Sequence, residues 1–311
     1  MSRIKQNLAL LFAICCVSFA GPLIKVALLL AMPPVAVAFF RLFFSTAFLS
    51  VPNARQHGFA LYKTLSKKEV GLLVASGLCL ALHFFCWISS LSIISTFAST
   101  VIVCTQPLFV MVGAFLFFRE VPSSRALPGV VLCVAGTVII ALAGGMDSGT
   151  IWGSVLALLG ALFSSCYFLC NKALRHTLPL TPHTFAVYGI CAVCLLLLSF
   201  FLRSPLLTFP WQGYAICFAL AVLCTLGGHS VLNWALKYFK AGVVSVAMLG
   251  EPLGAALWAF LLFGEQPGLT VLLGGLVILA GVVWFAVFEQ KEPLLQTVDR
   301  ELDMPGPDTI T

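Results

Sequence analysis

The chain is divided into ten long apolar runs, and these runs set narrow limits on what it can fold into. Each is about 17–25 residues long, the length a helix needs to cross the hydrocarbon core of a bilayer. Hydrophobic residues make up 61% of the 311 residues and charged residues 9%, against roughly 45–50% and about 25% in soluble domains. We therefore predict an all-α polytopic membrane protein with ten transmembrane helices. The predicted spans, numbered 1 to 10, lie near 7–30, 35–51, 70–90, 95–117, 125–144, 151–171, 182–202, 212–235, 241–263 and 268–288.

A fixed offset of 145 residues relates the two halves of the chain. Ten identities follow this offset without a gap, and proline and glutamate weigh most among them because both are rare here. The identical pairs are Pro107/Pro252, Leu108/Leu253, Ala114/Ala259, Phe115/Phe260, Leu116/Leu261, Phe118/Phe263, Glu120/Glu265, Pro122/Pro267, Gly129/Gly274 and Gly136/Gly281. The pattern predicts two related units, at 1–145 and 150–290. The polar segment 291–311 is predicted to be a disordered cytoplasmic tail.

The distribution of Lys and Arg predicts the orientation of the spans. With the N-terminus in the cytoplasm, fourteen of the 17 basic residues fall in segments on the cytoplasmic side, and Arg203 alone falls in an outer loop. Such asymmetry is typical of membrane proteins with positive inner loops. Both termini are then cytoplasmic. The net charge of +6 is a topology signal of this kind, and we predict no nucleic-acid partner.

An odd number of spans in each unit inverts the second unit relative to the first. Inverted repeats are a common basis of secondary transporters, whose substrate site lies near the bilayer midplane between the repeats. The sequence thus predicts two inverted five-helix repeats in the cell (cytoplasmic) membrane. The partners would be the lipid bilayer and a small-molecule substrate.

Glu251 is the leading candidate for a functional residue. It lies about 15 Å along span 9, near the bilayer midplane, where a carboxylate is costly unless it is paired, protonated or facing water. Pro252 follows and removes a backbone hydrogen bond. The equivalent residue in the first unit is the uncharged Gln106. A buried structural carboxylate is the alternative interpretation.

Two basic residues lie inside predicted spans. Arg41 in span 2 and Lys25 in span 1 are each about six residues from the outer end, so both long side chains are able to reach the interface. If Arg41 faces the centre instead, its guanidinium suits a substrate carboxylate or phosphate, or a pairing with Glu251.

Histidine and tryptophan recur at similar positions in the two units. His83 and Trp87 share a face of span 3, and His229 and Asn233 share a face of span 8, because residues four apart in a helix are neighbours. Trp234 follows Asn233. These five residues are candidates to line a pathway, although Trp87 and Trp234 are also suited to interfacial aromatic belts.

No cofactor or metal site is predicted. Cys191 and Cys194 form a C-x-x-C inside an apolar helix without a second pair, and buried cysteines behave mainly as small apolar residues. Gly129 and Gly136 on span 5, and Gly274 and Gly281 on span 10, present small faces that favour close helix packing or a homodimer through these helices.

The residues resemble those of the drug/metabolite transporter superfamily, in its EamA-type family, over about residues 7–288. The resemblance depends on the stretches FFRLFFSTAF, LHFFCWISSLSIISTFASTVIVCTQPLFV, FLFFREVP and GHSVLNWALKYFKAGVVSVAMLGEPLGAALWAFLLFGEQP. It implies ten helices around a central cavity formed by spans 1–4 and 6–9, and export or exchange of small metabolites such as amino acids.

The predicted function is secondary transport of a small polar metabolite by alternating access, with Glu251 as a proton-linked switch or a cation-binding group. Nucleotide-like metabolites and amphipathic drugs are alternative substrates. An enzyme is disfavoured because H-E-x-x-H and G-x-S-x-G motifs are absent, and an ATP-driven mechanism because no G-x-x-x-x-G-K-[ST] loop is present. A channel is disfavoured because duplicated halves suit alternation.

Overall fold

The computed structural model describes residues 3–56, 58–94, 96–119, 123–143, 151–174, 177–263 and 269–302, and within these ranges the secondary structure is helical, without strands. The fifteen α-helices are α1 (Arg3–Ser18), α2 (Ala20–Leu29), α3 (Pro34–Arg55), α4 (Gly58–Tyr62), α5 (Lys67–Ile93), α6 (Thr96–Val103), α7 (Gln106–Phe118), α8 (Leu127–Ala143), α9 (Ile151–Leu174), α10 (Leu180–Phe201), α11 (Trp211–Ala219), α12 (Ser230–Ala235), α13 (Ala241–Ala247), α14 (Glu251–Phe263) and α15 (Leu269–Leu302).

Seven helical stretches are long and apolar enough to cross a membrane: Ile4–Leu29, Pro34–Arg55, Lys67–Ile93, Ile151–Leu174, Leu180–Phe201, Trp211–Ala235 and Ala241–Trp258. Shorter apolar helices occupy parts of predicted spans 4, 5 and 10: Gln106–Phe118, Leu127–Gly136 and Leu272–Phe285. The all-helical membrane class is therefore as the sequence predicts.

Two helices are interrupted at equivalent places of the two units. Span 4 is divided into α6 and α7, and Gln106 is the first residue of α7. Span 9 is divided by a single 3₁₀ turn, Met248–Gly250, after which α14 begins at Glu251. Each new helix has proline as its second residue, where the missing N–H removes no helical hydrogen bond. The prolines thus allow the interruptions that bring Gln106 and Glu251 to helix starts.

Span 8 is widened at its centre. The ten residues Leu220–His229 between α11 and α12 form a π-helix, a rare geometry that often occurs at functional sites. Thr225 Oγ1 donates to the carbonyl of Leu220, and Ser230 Oγ donates to the carbonyl of Thr225. These bonds to carbonyls five residues back match the π-helical register, and the segment ends at His229.

The glycine faces of α8 and α15 contact each other within the chain. A Cβ on Gly129 would lie 2.7 Å from the carbonyl oxygen of Gly281, and one on Gly136 would lie 2.6 Å from that of Gly274. Such small residues let helix backbones approach closely. The packing role predicted for these glycines agrees with these contacts. A homodimer through the same helices stays a prediction and would have to use their other faces.

The last helix extends further than the sequence predicts. Helix α15 continues to Leu302, twelve residues into the segment for which disorder is expected. Leu and Glu, both strong helix formers, make up five of these twelve residues. The rest of the predicted tail, 303–311, and the predicted boundary between the units at 145–150 lie outside the described residues.

Candidate functional site

A small central cavity of about 20 Å³ lies where the interrupted helices meet. This volume holds about one water molecule. The walls come from the α1–α2 junction, α5, α9, the end of the π-helix and both interruptions. The lining residues are Val17, Ala20, His83, Trp87, Val103, Cys104, Gln106, Pro107, Ser164, His229, Ser245, Met248, Leu249 and Glu251.

The two units contribute equivalent residues to this cavity. Three lining pairs are separated by the repeat offset of 145: Val103/Met248, Cys104/Leu249 and Gln106/Glu251. The third pair differs in charge, since only the second unit supplies a carboxylate. The two units thus contribute these three pairs at equivalent positions, but only the second unit contributes a carboxylate.

Glu251 lies at the N-terminus of α14 and is 8% exposed, toward the cavity that it lines. Its backbone N–H donates to the carbonyl of Met248, so the 3₁₀ turn runs directly into α14. Arg41 is a charged neighbour of its side chain. A carboxylate at a helix start that also borders a cavity is suited to receive a cation or a proton.

Arg41 on α3 is fully buried behind the cavity. Its Nε donates to Thr225 Oγ1 of the π-helix at 2.7 Å, and its guanidinium carbon lies 4.3 Å from the centre of the Phe84 ring. Nη1 and Nη2 are buried and have no hydrogen-bond partner in the described part of the chain. Because Arg41 is fully buried, its side chain does not extend to the membrane interface, which the sequence had left possible.

His83 and Trp87 line the cavity as stacked rings on α5. Their centroids are 5.7 Å apart, and His83 Nδ1 lies 2.9 Å from the carbonyl oxygen of Gly160. Both side chains are 3% exposed, so Trp87 does not belong to an interfacial belt. The buried Nε1 of Trp87 has no partner among the residues described.

The three candidate residues of span 8 lie in different surroundings. His229 lines the cavity and contacts the rings of Phe84 and Tyr167. Asn233 is fully buried in a hydrogen-bond network outside the cavity. Trp234 is only partly buried and packs on Tyr238 at 4.8 Å between ring centres. The helix face that His229 and Asn233 share therefore does not bring both of them to the cavity.

Lys25 is also away from the cavity. Its Nζ lies 3.4 Å from the carbonyl oxygen of Leu91. It borders a separate recess of about 330 Å³ next to the α2–α3 turn, together with Ser92. Of the nine candidates from the sequence, five line the central cavity, at positions 83, 87, 106, 229 and 251.

A buried polar network beside the cavity joins four helices. Asn171 of α9 donates to Asn233 Oδ1 at 2.9 Å, and Asn233 donates to the Tyr167 hydroxyl at 2.6 Å. Ser76 of α5 donates to Asn171 Oδ1 at 2.6 Å, and His183 Nε2 of α10 lies 3.1 Å from the same oxygen. We name these five residues the amide cluster.

Sequence reasoning identified only Asn233 of the amide cluster. Asn171 lies at the end of an apolar run beside a lysine, which favours a loop interpretation. A usable signal was present, because Tyr167 and Asn171 are four apart and so share a helix face. Ser76 and His183 carry no such pairing along the chain.

Replacing Asn233 by Leu is expected to destabilise the protein by about 1–3 kcal/mol. The change leaves the buried amide of Asn171 without its acceptor, and an unmade buried hydrogen bond costs about this much. Thermal unfolding in detergent, followed by intrinsic fluorescence, measures the effect. The control is Ser50→Ala, an exposed hydroxyl bonded only to its own helix. Equal melting temperatures for the two variants would refute a structural role of the cluster.

Further polar contacts lie near the amide cluster. Lys172 Nζ donates to the carbonyl oxygens of Leu236 and Phe239 at 3.3 and 2.9 Å. The Tyr62 hydroxyl lies 2.9 Å from Asn53 Oδ1, and burial raises the pKa of Tyr62 to about 12. The hydroxyl thus stays neutral near physiological pH.

A different contact joins the two units through α1 and α14. The rings of Phe19 and Trp258 are stacked with centroids 3.9 Å apart, and Trp258 Nε1 donates to Ser18 Oγ at 2.7 Å. Trp258 is seven residues beyond Glu251 on α14, or about 10 Å along the helix. We name Ser18, Phe19 and Trp258 the tryptophan contact.

A cavity that two related helical units line together is typical of transporters built from repeats. The family model described as "EamA-like transporter family" matches twice, at residues 4–142 and 151–287. The chain belongs to the EamA-like transporter family. Each match lies inside one of the two units predicted from the sequence.

Several curated relatives match over most of their length. An uncharacterized transporter of Archaeoglobus fulgidus is 26% identical over 280 residues, covering 88% of this chain and 95% of the relative. The pseudopaline exporter CntI of Pseudomonas aeruginosa is 25% identical, covering 81% and 86%. The uncharacterized inner membrane transporter YhbE of Escherichia coli is 25% identical, covering 90% of each.

A solved crystal structure shares the fold. It superposes with a TM-score of 0.74 over 93% of this chain and 100% of the other, at 17% sequence identity. At that identity the likeness concerns the fold alone.

Proposed function

We propose that the protein is a secondary transporter that moves a small polar metabolite, such as an amino acid, by alternating access. The observation that carries this is the central cavity, where two interrupted helices of the two units present Gln106 and Glu251. Helix starts at the midpoint of a bundle are typical substrate sites in transporters built from repeats.

The packing of α8 and α15 supports two inverted five-helix repeats with ten spans. Gly129 contacts Gly281, the equivalent of Gly136, and Gly136 contacts Gly274, the equivalent of Gly129. Cys133 Sγ donates to the carbonyl of Ile278, which is its own equivalent at an offset of 145. Reciprocal contacts of this kind are what a twofold relation between the units produces.

We infer that the tryptophan contact closes one route from the cavity and that the amide cluster closes the other. A cavity of about 20 Å³ is too small for an amino acid, so uptake requires one closure to open. Alternate opening of the two would carry a solute across, with Glu251 taking up a proton or a cation.

Orientation and direction follow from the charge distribution and the relatives. Most Lys and Arg residues lie in the segments predicted to be cytoplasmic, which favours both termini in the cytoplasm of a cell-membrane protein. Export is the favoured direction because one relative is named an exporter.

Transport by purified protein in proteoliposomes tests the function. We expect counterflow of at least one labelled amino acid from a panel of the twenty, with saturation and competition. Unitary currents in planar bilayers would support a channel instead. Turnover of lipid or peptide by the purified protein would support an enzyme.

The labelling of Cys104 tests alternating access without knowledge of the substrate. Cys104 lines the cavity and is 8% exposed. Weakening a closure by one or two kcal/mol raises the open population by about 5- to 30-fold. We expect Trp258→Ala to raise labelling of Cys104 by an impermeant thiol reagent from one side, and Asn171→Ala from the opposite side. Peptide mass spectrometry separates Cys104 from the other eleven cysteines.

The control for this experiment is Trp152→Ala, since Trp152 is 64% exposed and belongs to neither closure. Its labelling should equal that of the wild type. If both test variants are labelled from the same side, the two contacts do not close opposite routes and alternating access at this cavity is refuted.

A further inference from the structure

Arg41, the second charged residue near the cavity, has hydrogen-bond donors without partners among the described residues. Arg41 is fully buried, and a buried charge is expensive unless it is paired and hydrogen-bonded. Only Nε is satisfied, by Thr225. The remaining two nitrogens form the planar edge that usually binds a carboxylate through two parallel hydrogen bonds.

Three further buried nitrogens on cavity-lining residues lack a hydrogen-bond partner among the described residues. Gln106 Nε2 and Trp87 Nε1 are buried N–H donors without a partner among the described side chains and backbone. Both belong to residues that line the cavity. The third is His229 Nδ1, which donates or accepts according to the tautomer. The N–H groups of Arg41, Gln106 and Trp87 are donors in either case, and they suit a group rich in acceptor oxygens.

Phe84 contacts both Arg41 and a residue of the cavity wall. The centre of its ring lies 4.3 Å from the guanidinium carbon and 5.5 Å from the centre of the His229 ring, and His229 lines the cavity. A rotation of the Phe84 side chain would therefore vacate the space that it occupies beside Arg41 and His229.

We propose that Arg41, with the donors of Gln106 and Trp87, forms a binding site for the carboxylate of the transported solute, and that Phe84 covers this site when it is empty. Glu251, whose charge is opposite to that of Arg41, then binds the cationic group of the solute. The proposal rests on the transport function and narrows its substrates to carboxylates, which disfavours purely cationic amphipathic drugs.

Acetate is the smallest probe of such a site. We expect potassium acetate to raise the melting temperature of the detergent-purified protein by about 2–4 °C over potassium chloride at equal ionic strength, because a ligand of the folded state stabilises it. Acetamide, which has the same shape without the charge, should have no effect. Saturation-transfer NMR to the acetate methyl group provides a second readout.

The variant Arg41→Gln should abolish the acetate response, whereas Arg55→Gln, an exposed arginine on the same helix, should keep it. If Arg41→Gln does not fold, the difference between the acetate and acetamide responses of the wild-type protein tests the proposal. An equal response to acetamide, no response to acetate, or an unchanged response in a folded Arg41→Gln would overturn the proposal.

The two proposals fail separately. A protein that transports solutes in a Glu251-dependent manner but ignores acetate refutes only the carboxylate site. A protein that binds acetate through Arg41 but moves no solute refutes transport and leaves the site in place.

Discussion

Replacing Glu251 by Gln is expected to lower the transport rate in proteoliposomes by about 10- to 100-fold. Gln keeps the size of the side chain, removes its charge and replaces one acceptor oxygen with an N–H donor group. A hydrogen bond to a charged group contributes about 1.5–3 kcal/mol, and each 1.4 kcal/mol is a factor of ten. The measurement is initial uptake of the labelled solute that gives the largest counterflow with the wild type.

Glu69→Gln is the matched control for this prediction. Glu69 is the exposed partner of Ser66 in the capping box of α5, where Gln serves equally well. It should transport at the wild-type rate. If Glu251→Gln transports at wild-type rates across the pH range, Glu251 is a structural carboxylate, and coupling through it is wrong.

Replacing Gly281 by Ala is expected to destabilise the protein by about 1–3 kcal/mol, the usual cost of overpacking. The added Cβ would lie 2.6 Å from both Cys133 Sγ and the carbonyl oxygen of Gly129. Helices α8 and α15 cannot move apart to make room for it without losing their contact with each other. The melting temperature in detergent should fall, although alanine is the better helix former.

Gly71→Ala is the matched control for the helix-packing effect. Its added Cβ would meet no atom within 4 Å, so only the gain in helix propensity remains, about 1 kcal/mol or less. The two variants should thus shift the melting temperature in opposite directions. A Gly281→Ala protein as stable as Gly71→Ala would show that α8 and α15 do not pack through their glycines.

Much of the helical organisation was predictable because it depends on neighbouring residues. An apolar run shows where a helix can lie, and Pro107 and Pro252 mark where spans 4 and 9 are interrupted. The widened segment of span 8, Leu220–His229, was not predictable. Gly227 and Gly228 lie within it, but glycines do not by themselves specify a π-helix, and the geometry depends on contacts such as that of Arg41 with Thr225.

The candidate site was predictable in part. Gln106 and Glu251 were found because the repeat aligns them, and both line the cavity. Asn233 does not line the cavity beside His229, from which one helix turn separates it, and its place on a transport pathway stays a prediction. The burial of Arg41 was undecided, since an arginine six residues from a helix end is able to point either way.

The amino-acid sequence by itself determined the helical membrane class and the relation between the two halves, because both depend on local composition and on identities along the chain. Only the tertiary structure decided which polar side chains meet. Asn171 and Asn233 are 62 residues apart and Arg41 and Thr225 are 184 apart, and such pairs form through the rotation and depth of packed helices. A polar residue in an apolar run shows that it needs a partner, and only packing determines which one.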